Sequence, residues 1–220
     1  MNIKNLNMRW ATRSVRPVAV AGLALAALGT AACGSATARE GQASSYPVIV
    51  ALEGANGARG SSAIFSTQAV ASDVITFIKS QNSYTIFSDP GRVTMNVAMR
   101  DITNPNDPSS NNAITFRRYR VVYRRSDGRN TPGVEVPYAF DGGVTFTAAP
   151  GTTVSAVFEL VRPQAKEEAP LRQLIGGGSP SSPISTLADV TFYGADQTGR
   201  EVSVTGTISV DFANWGDPEL

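Results

Sequence analysis

Residues 202–212, with the sequence VSVTGTISVDF, decide the fold because polar and apolar side chains alternate along them. The apolar set is Val202, Val204, Ile208, Val210 and Phe212, and the polar set is Ser203, Thr205, Thr207, Ser209 and Asp211. A period of two places alternate side chains on opposite faces of a β-strand. The stretch therefore predicts a long strand with one buried and one wet face.

Other segments extend this pattern into a sheet. An apolar run at 187–194 and the turn-forming segment ADQTGR at 195–200 precede the strand, which predicts a β-hairpin. Further alternating segments have as inward side chains Val93, Met95, Val97 and Met99; Tyr119, Val121 and Tyr123; and Val154, Ala156, Phe158 and Leu160. Weaker strands are predicted near 47–52, 72–78, 84–87, 134–138 and 144–147, with turn-like breaks at 89–91 and 141–143.

Helical periodicity is weak throughout, and only residues 166–175 predict a short helical turn. Many short strands joined by loops are typical of a β-sandwich or barrel, and the long crossover from 162 to 183 favours a Greek key. We therefore predict an all-β fold, a single immunoglobulin-like Greek-key β-sandwich that follows an N-terminal signal helix and a flexible tether. A jelly roll or a C2-type sandwich also fits the strand pattern.

The N-terminus has the parts of a bacterial lipoprotein signal. Its basic residues are Lys4, Arg9, Arg13 and Arg16. The apolar run at 18–28 is shorter than the roughly 20 residues that span a bilayer, as expected of a signal peptide. The following LGTAAC at 28–33 resembles a lipobox, which predicts cleavage at Thr30, Ala31 and Ala32 and a lipid on Cys33. An ordinary secretory cleavage near Ala32 is the alternative.

These features divide the chain into three parts. We predict a lipoprotein signal peptide at 1–32, the lipidated Cys33 and a small-residue tether at 33–46, and one β-sandwich domain at 47–220. The whole chain has a net charge of +1, and removing the four basic residues of the signal changes it to −3. This balance and a charged fraction of 17% argue against a nucleic-acid partner.

Three segments of the domain carry a family resemblance: VEVPYAF at 134–140, AKEEAPL at 165–171 and VTFYG at 190–194. Together they resemble a group of uncharacterised bacterial lipoproteins with an immunoglobulin-like or fibronectin-like β-sandwich. The resemblance implies a fold and an envelope location. It brings no catalytic residues with it, and the Cys…Trp…Cys core of antibody domains is absent.

Catalytic motifs are missing from the sequence. The chain has no histidine and one cysteine, which excludes histidine-based triads, CxxC motifs and disulfide frameworks. It has no GxSxG, phosphate-loop or GxGxxG motif. Paired carboxylates could do acid–base work, but Glu167 and Glu168 are adjacent in a segment that we expect to be a solvated loop. We predict that the protein is not an enzyme and holds no cofactor besides the lipid.

Two groups of residues could bind charged ligands. Asp101, Asn104, Asn106 and Asp107 concentrate oxygen atoms in one loop, which predicts a weak calcium site, although Asn and Asp are also ordinary turn residues. Arg118, Arg120 and Arg124 lie on one face of a strand, where guanidinium groups could bind carboxylates, phosphates or sulfated glycans. Ion pairs with acidic side chains of neighbouring strands are the simpler explanation for the arginines.

The sequence thus predicts a membrane-anchored lipoprotein with a non-catalytic envelope binding domain. Gly34 follows the cysteine where aspartate would signal retention in the inner membrane, so we expect an outer-membrane anchor, facing the periplasm or the surface. Secretion and an inner-membrane anchor are the alternatives. The expected partner is an envelope protein or a glycan. A structural accessory role in an envelope or surface complex is the alternative function.

Overall fold

The predicted C-terminal hairpin lies within the larger of the two main β-sheets in the computed structural model, which describes residues 44–100, 110–176 and 182–217. The strands are β1 Ser45–Gly54, β2 Val70–Asp73, β3 Thr76–Ile78, β4 Ser83–Thr85, β5 Asp89–Met99, β6 Ile114–Arg124, β7 Phe140–Ala148, β8 Val154–Val161, β9 Ile184–Asp196 and β10 Glu201–Ala213. Among the described residues the one α-helix, α1, spans Pro163–Glu167, and 3₁₀ turns cover Gly57–Ser62, Ser110–Asn112 and Leu171–Leu174.

The strand order confirms the predicted all-β sandwich. The smaller sheet has the order β1-β5-β8, and the larger has the order β2-β10-β9-β6-β7. In immunoglobulin-like terms these orders match strands A-B-E and G-F-C-C′, with β2 added parallel to β10 at the edge of the larger sheet. The strands β3 and β4 form a separate small hairpin.

The predicted faces of the long strands are confirmed. In β10 the apolar residues point towards the core, with Ile208, Val210 and Phe212 fully buried. In β6 the residues Tyr119, Val121 and Tyr123 are buried, and their sequence neighbours are exposed. The same alternation holds along β5 and β8. The core therefore lies between the inner faces of the two sheets.

Aromatic rings join the sheets at the centre of this core. The Phe158 ring of the smaller sheet lies 5.1 Å from the Tyr119 ring and 5.3 Å from the Phe192 ring, both of the larger sheet. Both contacts are edge-to-face, the arrangement that aromatic quadrupoles favour. The Phe140 ring contacts Tyr119 at 6.2 Å in the same manner. These rings join the two sheets without the disulfide and tryptophan that antibody domains use.

Two predicted breaks are wrong, because residues 89–91 begin β5 and residues 141–143 lie inside β7. Their glycines leave room for aromatic rings. A β-carbon on Gly91 would lie 2.4 Å from the Phe158 ring, and one on Gly142 would lie 2.3 Å from the Tyr119 ring. Glycine at these positions therefore reflects close packing inside a strand, which the sequence pattern does not distinguish from a turn.

Other segments also differ from the sequence predictions. The predicted strand near 134–138 is a turn that a single bridge between Pro132 and Val136 closes. The predicted strand at 72–78 divides into parts of β2 and β3, which belong to different sheets. The first strand begins at Ser45, just before the predicted start of the domain at Pro47. All described residues belong to one compact unit.

The aromatic packing predicts different effects for two adjacent glycines. In Gly142→Ala the new methyl group overlaps the buried Tyr119 ring, whereas in Gly143→Ala it meets nothing within 4 Å. We expect Gly142→Ala to lower the free energy of unfolding by about 1–3 kcal/mol, as overpacking does. Gly143→Ala is the matched control and should change stability by less than about 0.5 kcal/mol. Urea denaturation of both variants measures the difference, and equal stability would contradict this account of the core.

Candidate functional site: the arginine face of the larger sheet

The outer face of β6 carries the three arginines that the sequence singles out. Arg118, Arg120 and Arg124 are all exposed, because the inward positions of the strand hold Tyr119, Val121 and Tyr123. Since β6 lies between β7 and β9, acidic residues of both neighbouring strands can form ion pairs with these arginines. We call Arg118, Arg120, Arg124, Asp141 and Asp189 the arginine face.

Ion pairs occupy these arginines in the structure. Arg118 and Arg120 bind the two oxygens of one carboxylate, Asp141, with N–O distances of 2.6 and 2.7 Å. The Nε of Arg124 lies 2.6 Å from Oδ2 of Asp189. Both acids belong to neighbouring strands, as the simpler explanation of the arginines predicts. Three guanidinium groups face two carboxylates, however, so the arginine face keeps an excess of positive charge.

The Asp189 carboxylate is held in its charged form. Burial alone would raise its pKa, but hydrogen bonds from Arg124 and from the Thr207 hydroxyl outweigh burial and lower the pKa below its usual value. The Thr207 Oγ1 donates to Oδ1 at 2.6 Å, and Arg124 donates to both carboxylate oxygens. Asp189 is therefore a fixed negative charge under the guanidinium group of Arg124.

A polar cleft of about 870 Å³ adjoins the arginine face at one end of β6, β9 and β10. The guanidinium carbon of Arg118 lies 3.9 Å from the centre of the Tyr193 ring, and both side chains line the cleft. This cation–π contact holds the Arg118 guanidinium group beside the cleft, and its Nη1 also binds Asp141. An arginine next to an aromatic ring can contact planar anions and sugar rings.

A strand irregularity places a second arginine, Arg117, in the lining of the cleft. The register of β6 against both neighbours shifts between Phe116 and Arg118, so Arg117 is an inserted residue and its side chain is exposed. Arg117 lines the cleft and forms no ion pair with any other described residue. Alternation from the inward Tyr119 places Arg117 on the core face, so the sequence alone does not identify it. The bulge returns it to solvent.

Several predicted site residues lie outside the described residues. These are Thr30, Ala31, Ala32 and Cys33 of the lipobox, and Asp101, Asn104, Asn106 and Asp107 of the calcium loop. Within the ranges that the structure describes, no three acidic, cysteine or histidine side chains come together to hold a metal ion. Asp196 accepts hydrogen bonds within its own turn from Thr198 and Arg200.

A buried charge cluster was missed at the sequence level. Lys166, which precedes the Glu167–Glu168 pair that we expect in a solvated loop, is fully buried, and its Nζ lies 2.9 Å from Oδ2 of the equally buried Asp89. The alternation of inward positions along β5 could have indicated that Asp89 is buried. The inward positions Val93, Met95 and Val97 extend backwards through Gly91 to Asp89. No local pattern indicates that α1 contains a buried lysine.

Comparison with protein-family models, with curated proteins and with solved structures gives no match to this chain. The resemblance to bacterial lipoproteins therefore stays a prediction. In the part of the chain that the structure describes, no helix has the length and apolar character needed to cross a membrane.

The lowered pKa of Asp189 predicts how stability depends on pH. A carboxylate whose pKa falls on folding stabilises the fold above its unfolded pKa of about 3.9 and loses that effect as the pH drops through the folded pKa. We expect Arg124→Gln to lower the free energy of unfolding slightly at pH 7, since the pair is partly exposed to solvent. The deficit should shrink towards zero as the pH falls through the lowered folded pKa of Asp189.

Thermal or urea unfolding across pH 2–8 measures this effect. Arg59→Gln serves as the control, because Arg59 is exposed and forms no ion pair with another described residue. A deficit for Arg124→Gln that is the same at every pH would contradict the assignment to Asp189.

Proposed function

We propose that the protein is a membrane-anchored bacterial lipoprotein whose β-sandwich is a non-catalytic binding module of the cell envelope. The observation that carries the binding role is the excess positive charge of the arginine face. The face adjoins a cleft that holds the Arg118–Tyr193 pair and Arg117, which forms no ion pair with another described residue. The lipobox-like LGTAAC at 28–33 supports the anchor.

The chemistry of the face favours an anionic partner. Arg118 and Arg120 share Asp141, so each guanidinium group retains donors that the single carboxylate does not use. A carboxylate, phosphate or sulfate group in the cleft could accept those donors together with those of Arg117. Such a partner is an acidic glycan or the acidic surface of another envelope protein. Its affinity would fall with salt, because the arginines are exposed.

The geometry offers little for catalysis. Hydrolytic nucleophiles need a neighbouring base, and the chain has no histidine. The lysine beside a serine and a carboxylate, Lys166, is sealed from solvent, so no external substrate reaches it. Binding without chemistry is therefore the function that the arginine face supports best.

A structural accessory role is the second candidate, and the other sheet supplies the observation in its favour. The edge strand β1 exposes Tyr46, Val48 and Val50, and β8 of the same sheet exposes Val157. An edge strand with apolar side chains can pair with a strand of another protein. Cross-linking with mass spectrometry in intact cells separates the two roles. A constant, stoichiometric partner linked near β1 supports the structural role, and partners linked near the arginine face support binding.

The anchor makes a prediction about Cys33. Cells grown with a labelled fatty acid should label the wild-type protein, and Cys33→Ser should lose both the label and membrane association, because the thiol is the site of lipid attachment. Fractionation should place the wild-type protein in the outer membrane, and protease treatment of intact cells then tells which side it faces. Retained label and membrane association in Cys33→Ser would reject the anchor.

The arginine face makes a prediction about binding to an acidic glycan, with heparin oligosaccharide as the probe. The double variant Arg118→Glu/Arg120→Glu should bind it at least tenfold more weakly than the wild type, since two cations are replaced by anions beside the cleft. The matched control is Arg59→Glu/Arg129→Glu, which changes the net charge equally at exposed positions elsewhere.

Calorimetric titration at two salt concentrations measures both variants. Binding that falls equally in the two variants would mean that only net charge matters. Unchanged binding in Arg118→Glu/Arg120→Glu would reject the arginine face as the site.

A further inference from the structure

The buried pair of Lys166 and Asp89 joins two separate parts of the fold. Asp89 is the first residue of β5, and Lys166 lies in α1, the helix that follows β8. The side chains are 1% and 0% exposed, and Nζ is 2.9 Å from Oδ2. Lysine is almost never fully buried unless it is paired, and here the partner is a carboxylate that is equally buried.

Both carboxylate oxygens and the amine have further partners. The Ser72 hydroxyl donates to Oδ2 of Asp89 at 2.6 Å, and the backbone N–H of Gly57 donates to Oδ1 at 2.9 Å. The Lys166 Nζ also donates to the Phe87 carbonyl oxygen at 2.7 Å. The carboxyl group and the amine are thus fixed in one orientation by three different segments of the chain.

A dry site changes the chemistry of such a pair. Charged groups lose their hydration there, so keeping the ammonium and the carboxylate both charged costs free energy. A neutral lysine amine is a nucleophile. An amine held in contact with a carboxyl group reacts at an effective concentration far above that of any solution.

We propose that Lys166 and Asp89 condense to an intramolecular isopeptide bond. The amine nitrogen attacks Cγ of Asp89, the Nζ–Cγ bond forms and the Cγ–Oδ2 bond breaks. Two of the three ammonium protons leave with Oδ2 as one water molecule, and the third remains on the amide nitrogen. No oxidant, reductant or co-reactant is needed.

The surrounding groups match the needs of each atom in this step. The N–H of Gly57 points at Oδ1, where negative charge develops when the carboxyl carbon becomes tetrahedral. The Ser72 hydroxyl donates to Oδ2, the oxygen that leaves, and keeps its own proton. The Phe87 carbonyl already accepts from Nζ and can accept the N–H of the product amide. Exclusion of bulk water protects that amide from hydrolysis.

The bond would tie the start of β5 to the helix after β8. It would close a covalent loop that contains β5 to β8 and therefore strands of both sheets. The chain after residue 33 has no cysteine to form a disulfide, and this amide would supply a crosslink that reducing agents do not cleave.

A tryptic map of the wild-type protein, digested after full denaturation, tests the proposal. Trypsin cleaves unlinked chains after Lys79, Arg92, Arg129, Lys166 and Arg172, and not between Arg162 and Pro163. The crosslink blocks cleavage at Lys166. It therefore predicts one branched species that joins residues 80–92 to residues 130–172, with a mass lower than the sum of the two peptides by one water molecule.

Lys79 and Lys166, the two lysines after residue 33, provide a matched pair of variants. Lys166→Arg keeps the positive charge and cannot form the amide, so the branched species should vanish, whereas Lys79→Arg should retain it. The wild-type map alone decides the question even if Lys166→Arg fails to fold. Recovery of linear 80–92 together with complete cleavage after Lys166 would overturn the proposal.

Discussion

Contact between aromatic rings of the two sheets is the interaction on which the rest of the structure depends. Phe158 from the smaller sheet packs edge-on against Tyr119 and Phe192 from the larger one. Each ring needs space that a neighbouring strand must provide, and Gly91 and Gly142 provide it. Ring packing thus holds the two sheets of the sandwich together, as a disulfide and a tryptophan do in antibody domains.

The same strand that fills the core also builds the candidate site. Because side chains alternate along β6, placing Tyr119 inside requires Arg118 and Arg120 to be outside. Their distance from Asp141 is then set by the register with β7, which pairs Arg120 with Asp141 directly. The arginine face is therefore a consequence of core packing. The bulge at Arg117 is the one place in β6 where the alternation of core and solvent positions is interrupted.

Alternation explains how much could be predicted from the sequence. It locates the β9–β10 hairpin and the two faces of β6, because a period of two reports directly on burial. It fails at Gly91 and Gly142, since a glycine under a ring and a glycine in a turn look alike in sequence. Burial of Lys166 also could not be predicted, because its partner Asp89 is distant in sequence and meets it only after β5 and β8 have paired.

The exposed arginine–aspartate pairs and the buried lysine–aspartate pair of this domain show how access to solvent changes the chemistry of an ion pair. At the arginine face the guanidinium groups remain in contact with water, so their pairs with Asp141 and Asp189 are screened and each contributes little to stability. At Lys166 the partner is also an aspartate carboxylate, but both side chains are buried, so keeping the two groups charged costs free energy. Arginine suits the first environment because it stays protonated, and only lysine, which can lose its proton, can become a nucleophile in the second.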